Sequence, residues 1–556
     1  MNLLSAFDRL PERLNLVYGP EVGERVWPRL LSRLQNAPGE PSASGTWSEK
    51  DSILITYGDS ITAEGEWPLQ TLTTFVREYL GDAIQLVHIL PFFPFTSDDG
   101  FSISDYERIR EDLGNWEDVA DLGTSHDLMF DLVLNHCSAS HKWFQQFLRD
   151  EEPGSGFFHA LDPSLDLREV VRPRTHPVLT PFETPSGTKH VWTTFSADQV
   201  DLNFANPDVL LAFLDILLLY ARRGARIIRL DAIAFLWKTP GTGCIHLEQT
   251  HEVVKIMRDV LECVEPGVIL LTETNVPHQE NVSYFGDGDE ARMVYQFPLP
   301  PLLLHALRKG DPSYLTAWLR DLEAPPEGCT FFNFTASHDG IGVRPLEGLV
   351  PMDEVRELAE EIRSLGGKVN ERSQPDGSTT PYELNATYFS ALEKAGEDPE
   401  VHLRRFWLSQ TFPMCLQGIP ALYIHSFTAT PNDLEGMART GQNRTINRKS
   451  WDWGEVASTL TDPAHSMTRT LNTLRERLDV RSSIPEFHPD HSQEILEGPE
   501  GCVGVKRGAV TALHNFSDAP VTVPASVGEW LLRDGGVETS EAGILLPPLS
   551  VAWFRS

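Results

Sequence analysis

The sequence predicts an α/β protein built on a TIM-type (β/α)8 barrel, and three observations carry that prediction. Residues 224–231 read as a short buried strand that follows an apolar helix at 209–220 and ends in Asp231. Three other apolar runs also end in polar groups: 128–136 in Asn135-His136, 268–273 in Glu273, and 331–339 in His338-Asp339. Helical stretches alternate with these strands. Polar side chains collected at the C-terminal ends of parallel strands mark the active pole of such a barrel.

Taken in order, residues 1–50 form a helical N-terminal extension, with a helix near 23–34 and a Gly/Pro/Ser loop at 38–45. The barrel occupies 51–137 and 204–480. Its strands are expected at 53–57, 84–90, 129–134, 224–231, 268–273, 292–297, 330–335 and 420–425, with helices such as 69–80 and 116–123 between them. Residues 138–203 are inserted after the third strand, and a βα connection of that length carries structure of its own over the catalytic face. A polar Gly/Pro-containing stretch at 366–378 reads as a mobile loop between the seventh and eighth strands. From 481 to 556 the pattern changes to short alternating strands (502–506, 510–516, 521–523 and 543–546), a small all-β C-terminal domain.

Composition narrows the function. The 556 residues are 41% hydrophobic and 23% charged, ordinary for a globular protein. The formal charge of −34 argues against nucleic acid or an anionic membrane as partner, and an anionic substrate would need a local cluster of positive groups. No apolar run is long enough to span a bilayer and no signal peptide is evident. Cysteines 137, 244, 263, 329, 415 and 502 lack CxxC spacing, which suggests reduced thiols and a cytoplasmic location. No phosphate-cradling Gly motif, zinc-spaced Cys/His set or calcium loop is present, so neither cofactor nor metal is expected. Asp98-Asp99-Gly100 reads as a turn.

Within the central strand, period-2 alternation puts Arg229 and Asp231 on one face, where the guanidinium keeps the carboxylate ionised and oriented. Asp231 and Glu273 end adjacent strands. That suits the separation of about 5–5.5 Å between the two carboxyl groups of a retaining glycosidase better than the wider inverting gap.

These residues also carry a family resemblance. Asp131-Leu-Val-Leu-Asn-His136, Arg229-Leu-Asp231, Glu273 and His338-Asp339 resemble the four signature regions of the α-amylase superfamily, glycoside hydrolase family 13. Residues 51–59, Leu90-Pro-Phe-Phe-Pro94, Arg172-Pro-Arg174, Gln199-Val-Asp201 and residues 441–448 are similar to the sucrose phosphorylase branch. The N-terminal extension, Trp192-Thr-Thr-Phe-Ser196 and residues 244–251 are closer to its glucosylglycerate phosphorylases.

The resemblance implies that 138–203 is the small domain B of that family. It makes Asp231 the nucleophile, Glu273 the acid/base and Asp339 the third carboxylate, with His338 beside it. His136 would bind a sugar hydroxyl, Tyr106 would line the glucose site, and Asp59 with Arg444 would close its far end. Arg174 would contact phosphate or acceptor, with Gln199 nearby.

The implied reaction is reversible phosphorolysis of 2-O-α-glucosylglycerate, with an α-glucoside and inorganic phosphate as small-molecule partners. Sucrose or glucosylglycerol phosphorylase, an α-glucosidase or transglucosidase, and a non-catalytic sugar-binding protein are the alternatives. For the glycerate carboxylate, Arg372 in the 366–378 loop is the candidate, with Arg174 and His176 as second choices.

Overall fold

The computed structural model describes residues 5–36, 46–174, 176–373 and 378–555. Eight parallel strands form a closed barrel. They are β1 Ile53–Thr56, β2 Leu86–Ile89, β3 Asp127–Val133, β4 Ala225–Asp231, β5 Ile269–Thr272, β6 Met293–Tyr295, β7 Thr330–Phe334 and β8 Ile419–Tyr423. Their order is β1-β8-β7-β6-β5-β4-β3-β2. The chain divides into two compact units, one from residues 1–46, 88–274 and 282–294, the other from 47–87, 275–281 and 295–556.

The first unit is organised by β4, every residue of which is buried. It pairs in parallel with β3, setting Asp131 opposite Arg229 and Val133 opposite Asp231, and with β5, setting Thr272 opposite Leu230. The helix α3, Pro207–Arg222, starts where the Asn206 side chain accepts from Asp208 N–H and Pro207 takes the first turn.

Two N-terminal helices, α1 (Ala6–Tyr18) and α2 (Pro20–Gln35), meet at Gly19, whose φ of 81° an L side chain adopts poorly. Helix α1 buries Leu10, Leu14 and Val17, spaced as one helical face, each worth roughly 1.5–3 kcal/mol. It packs on the helix α4, Glu248–Val264. Arg9 and Arg13 on α1 both bind the carboxylate of Asp259, which is fully buried in α4.

Between β3 and β4 the chain forms a helix, Lys142–Leu148, and an antiparallel hairpin of Leu179–Thr184 with Gly187–Trp192. A short strand, Gln199–Asp201, then pairs with His136–Ser138. Phe144, Phe147, Phe158 and Phe182 make one aromatic cluster under the hairpin.

In the second unit β8 lies between β1 and β7, with Ala421 opposite both Ile53 and Phe334. The helix Ser466–Ser482 leads to five antiparallel strands ordered Glu494–Leu496, Cys502–Arg507, Val510–Asn515, Val551–Arg555 and Glu529–Arg533. A smaller sheet of Val521–Val523, Gly543–Leu546 and Glu538–Ser540 shares their core of Leu513, Ile544, Leu546 and Phe554.

One segment departs from its sequence reading. The polar stretch read as a loop is largely a strand: Lys368–Ser373 pairs with Thr379–Asn385 throughout its length, and residues 374–377 lie outside the described residues. Polar side chains at nearly every position hide the alternation by which a half-buried strand is recognised. Among the described residues no helix is long and apolar enough to cross a membrane. All six cysteines are free.

Candidate active site

In the first unit the strand pairing brings ionised groups together without any long side-chain reach. Arg229 Nη1 binds Asp231 Oδ1 at 2.8 Å and also the neighbouring Asp131, while its Nη2 lies 3.9 Å from Glu273 Oε2. Asp131 is held from its other side by His88 Nε2 at 2.6 Å. Arg229 thus serves three carboxylates, and its guanidinium also lies 5.7 Å from the centre of the Phe101 ring. A buried carboxylate in such contact stays ionised and oriented.

Glu273 follows β5 directly. Its N–H donates to Leu230 O at 3.1 Å, and its Oε2 accepts from Ala232 N–H at 3.0 Å. Ala232 can aim that N–H because its backbone is left-handed, with φ 50° and ψ 30°. For an L residue this conformation costs about 1–2 kcal/mol. The strain sits one residue beyond Asp231 and ties that strand end to the glutamate of the next.

His136 is buried, 1% exposed. Nε2 lies 2.9 Å from Phe101 O and Nδ1 lies 3.2 Å from Asn135 Nδ2. Burial lowers its pKa, so the ring is neutral. The turn Asp98–Gly100 supplies this contact, because its residues all have positive φ and deliver Phe101 O to the histidine. Gln199 is buried beside them, donating to Asp98 Oδ2 at 3.1 Å and to Phe101 O at 3.3 Å.

Tyr106, expected to line the glucose site, turns its hydroxyl to backbone. Its hydroxyl donates to Val133 O at 2.8 Å and lies 3.0 Å from His136 O, and its ring packs on Trp143 and Phe213. It braces the end of β3 from within the core, where desolvation keeps the phenol neutral.

Arg174 is half-buried and has no ion-pair or hydrogen-bond partner among the described residues. His176 donates through Nδ1 to Pro177 O at 2.7 Å, and its buried Nε2 has no hydrogen-bond partner among the described residues.

The second unit holds Asp339 differently. Arg444 Nη1 lies 2.7 Å from Asp339 Oδ1, and Arg448 Nη2 lies 3.8 Å from the same oxygen. Arg444 also binds Glu383, with Nη2 to Oε1 at 2.8 Å. Glu383 stands on the strand Thr379–Asn385 and further accepts from Asn370 Nδ2 at 2.8 Å and Gly340 N–H at 3.2 Å. Asn447 donates to Ser337 O and Asp339 O, and Arg448 Nε donates to His338 O at 2.8 Å, so the turn after β7 is held by backbone contacts as well. His338 Nε2 is 3.5 Å from Asp339 Oδ2, and its ring meets Tyr57 edge-on. The backbone oxygen of Asp59 accepts from Ser450 at 2.6 Å.

Arg372, the candidate for the acceptor carboxylate, already has an ion-pair partner. It stands on the paired strand Lys368–Ser373 opposite Thr380 and binds Glu347. Its charge is already matched, which weakens it as a receptor for a carboxylate.

Sequence reasoning missed His88, Glu383 and Arg448 as individual site residues. Only Arg448 lay in a segment already singled out. The others carry no local signal, since each is defined by a partner distant in the chain. Among the described residues no group of three or more His, Cys, Asp or Glu side chains is arranged to hold a metal ion.

Residues 78–322 match the model of the alpha amylase catalytic domain. A glucosylglycerate phosphorylase from Allomeiothermus silvanus is 48% identical over 98% of this chain and 97% of its own. One from Escherichia coli is 43% identical over 98% and 100%. Among solved structures, a sucrose 6F-phosphate phosphorylase from Thermoanaerobacter thermosaccharolyticum superposes with a TM-score of 0.73 at 25% identity, covering 85% of this chain and 94% of that one. The chain belongs to the α-amylase family, in the group of the glucosylglycerate phosphorylases.

Proposed function

We propose that this protein is a retaining glucosylglycerate phosphorylase, cleaving 2-O-α-glucosylglycerate reversibly with inorganic phosphate to α-glucose 1-phosphate and glycerate. The observation that carries the reading is similarity over nearly the whole chain to enzymes of that name. The chemistry of the strand ends supports it. The Asp231 carboxylate attacks the anomeric carbon and forms a glucosyl ester while Glu273 gives its proton to the departing glycerate oxygen. Phosphate then attacks the same carbon, the ester bond to Asp231 breaks, and Glu273 takes up the phosphate's proton. Two inversions return the α configuration. Asp339 holds sugar hydroxyls more tightly as positive charge develops on the ring.

In this reading the functional divisions are an N-terminal extension (1–50), a barrel (51–137 and 204–480), a capping insertion (138–203) and a C-terminal domain (481–556). The protein acts in the cytoplasm. Arg174, a guanidinium without a carboxylate partner among the described residues of a strongly acidic chain, is the phosphate or acceptor cation. With Arg372 matched by Glu347, Arg174 becomes the first candidate for the acceptor carboxylate too.

The test is incubation with 2-O-α-glucosylglycerate with and without phosphate, following α-glucose 1-phosphate. Phosphate-dependent release is expected. Reverse assays should rank D-glycerate above glycerol and fructose. A preference for fructose or glycerol would make the protein a sucrose or glucosylglycerol phosphorylase. Glucose formed equally without phosphate would make it a glucosidase, and sugar binding without turnover a binding protein. Arg174→Ala should raise the KM for phosphate about tenfold.

A further inference from the structure

A fully buried ammonium lies beside the strand ends and has no part in the chemistry above. Lys238 Nζ is 2.7 Å from Asp201 Oδ2, 2.7 Å from Asn135 Oδ1 and 2.6 Å from Phe235 O, so three oxygens take its three hydrogens. The side chains of Lys238 and Asp201 are 1% and 0% exposed. The three oxygens come from three segments: the end of β3, the short strand Gln199–Asp201, and the turn Ile233–Phe235 that follows Asp231. Asp201 has further donors: Oδ1 accepts from Thr194 N–H at 2.7 Å, and Oδ2 accepts from Thr194 Oγ1 at 2.6 Å and Asn135 Nδ2 at 3.1 Å as well as from Lys238.

The hydrogen-bond grammar of this cluster has one solution. A lysine only donates, so the amide of Asn135 must present its oxygen to Lys238. Its nitrogen then faces Asp201 Oδ2 and His136 Nδ1, the latter at 3.2 Å. An N–H directed at Nδ1 requires a lone pair there, which puts the ring hydrogen on Nε2. That hydrogen has a receiver in Phe101 O at 2.9 Å. Gln199 Nε2 also lies 3.2 Å from His136 Nε2, but its two hydrogens are directed to the oxygens Asp98 Oδ2 and Phe101 O. A lone pair on His136 Nε2 would face Phe101 O and leave Nδ1–H against the Asn135 amide nitrogen.

We infer that Lys238 is a positioning residue: acting through the Asn135 amide, it holds the neutral imidazole of His136 as the Nε2–H tautomer and fixes the plane of that ring at the end of β3. The effect on catalysis rests on the reading of His136 as part of the glucosyl site, whereas the tautomer does not depend on that reading. The same ammonium joins the segments that carry His136, Gln199 and the residues following Asp231, so its loss is transmitted to all three.

The experiment is nitrogen NMR of the intact protein labelled with ring-15N histidine, with the His136 signals identified by their loss in His136→Gln. The wild type is expected to show His136 as the Nε2–H tautomer alone. Asn135→Asp keeps the shape but replaces the donor facing Nδ1 by an acceptor, and should move the hydrogen to Nδ1. Lys238→Met combined with Asp201→Asn removes both buried charges together, frees the Asn135 amide to turn, and should give a mixture of tautomers. In the latter variant kcat/KM for the glucosyl donor should fall about tenfold, mostly through KM. An Nδ1–H tautomer in the wild type overturns the inference without any variant. So does an unchanged Nε2–H tautomer in Asn135→Asp. A tautomer shift with unaltered kinetics would retain Lys238 as the tautomer-setting group and remove His136 from the glucosyl site.

Discussion

The carboxylate cluster of the first unit and that of the second are held by different pairings of charge. Around Asp231, Arg229 is shared by three carboxylates, Asp131, Asp231 and Glu273. Around Asp339, Arg444 and Arg448 stand against Asp339 and Glu383. In the first cluster Arg229 contacts three carboxylates, which suits the proposed attack of Asp231 on a developing cation. In the second, Arg444 and Arg448 both contact Asp339 and the turn is hydrogen-bonded through backbone, which suits the proposed role of a group that holds a substrate without bonding to it. Clusters of similar residue type can therefore differ in what they are able to do.

The largest way to break this comparison is at Asp231, the proposed nucleophile. Asp231→Asn should lower phosphate-dependent turnover by at least about four orders of magnitude while the fold persists, since the amide cannot form the ester. Residual activity within tenfold of wild type would show that another group attacks the sugar.

Removing a supporting carboxylate from each cluster sharpens the contrast. Asp131→Asn takes a buried anion from between His88 and Arg229, and should cost about 3–5 kcal/mol of stability together with roughly a hundredfold of kcat/KM. Glu383→Gln leaves Arg444 bound to Asp339 and retains an acceptor for Gly340 N–H, so about tenfold in kcat/KM is expected. Thermal melts and steady-state kinetics on the two variants decide the order. If Glu383→Gln proved the more damaging, the contrast drawn between the two clusters would fail.

Acid sensitivity should be spread over both units. Burial lowers the pKa of His141 and His159 in the first unit, and of His514 in the second, to about 3, and that of His425 in the second to about 4. Each is neutral when folded and takes up a proton more readily when unfolded. The stability each contributes is therefore present above its unfolded pKa near 6.5 and is lost as pH falls toward the folded value. For a histidine held near 3, about 2 kcal/mol is lost by pH 5. His514→Leu should flatten the fall of Tm between pH 8 and pH 5 relative to wild type. A parallel fall in both proteins would mean that His514 is protonated in the folded state.

The smallest effect is expected at Arg372. Its pair with Glu347 is partly exposed and worth less than about 1 kcal/mol. Arg372→Ala should leave the acceptor KM for glycerate within about twofold. A tenfold rise would return this residue to the acceptor site and displace Arg174 from that role.

Much of the architecture was legible in the chain because it depends on neighbours in sequence. The apolar run at 268–272 followed by Glu273, and the alternation of Arg229 with Asp231, are local signals, and β5 and β4 end where those signals put them. The apolar run at 209–220 announced a helix, which the structure extends over Pro207–Arg222. In the C-terminal domain, Glu529–Arg533 and Val551–Arg555 escaped notice, although Val551–Arg555 lies beside Val510–Asn515 in the sheet. A strand is completed by a partner that may lie anywhere in the chain, and its alternation is easily masked.

The sequence by itself determined the alternating elements, the polar strand ends and the acidic balance, since each follows from residue type and periodicity. Only the tertiary structure decided how those polar groups are used. It turned the Tyr106 hydroxyl inward to backbone carbonyls, matched Arg372 with Glu347, and set Glu383 against Arg444. It also enclosed Lys238 between Asn135 and Asp201. The physical reason is that a buried charge or hydrogen-bond donor must be satisfied by whichever partner the fold delivers within about 3 Å. Residues 135, 201 and 238 come within that distance through the pairing of strands and the course of a turn, and neither is written in their separation along the chain.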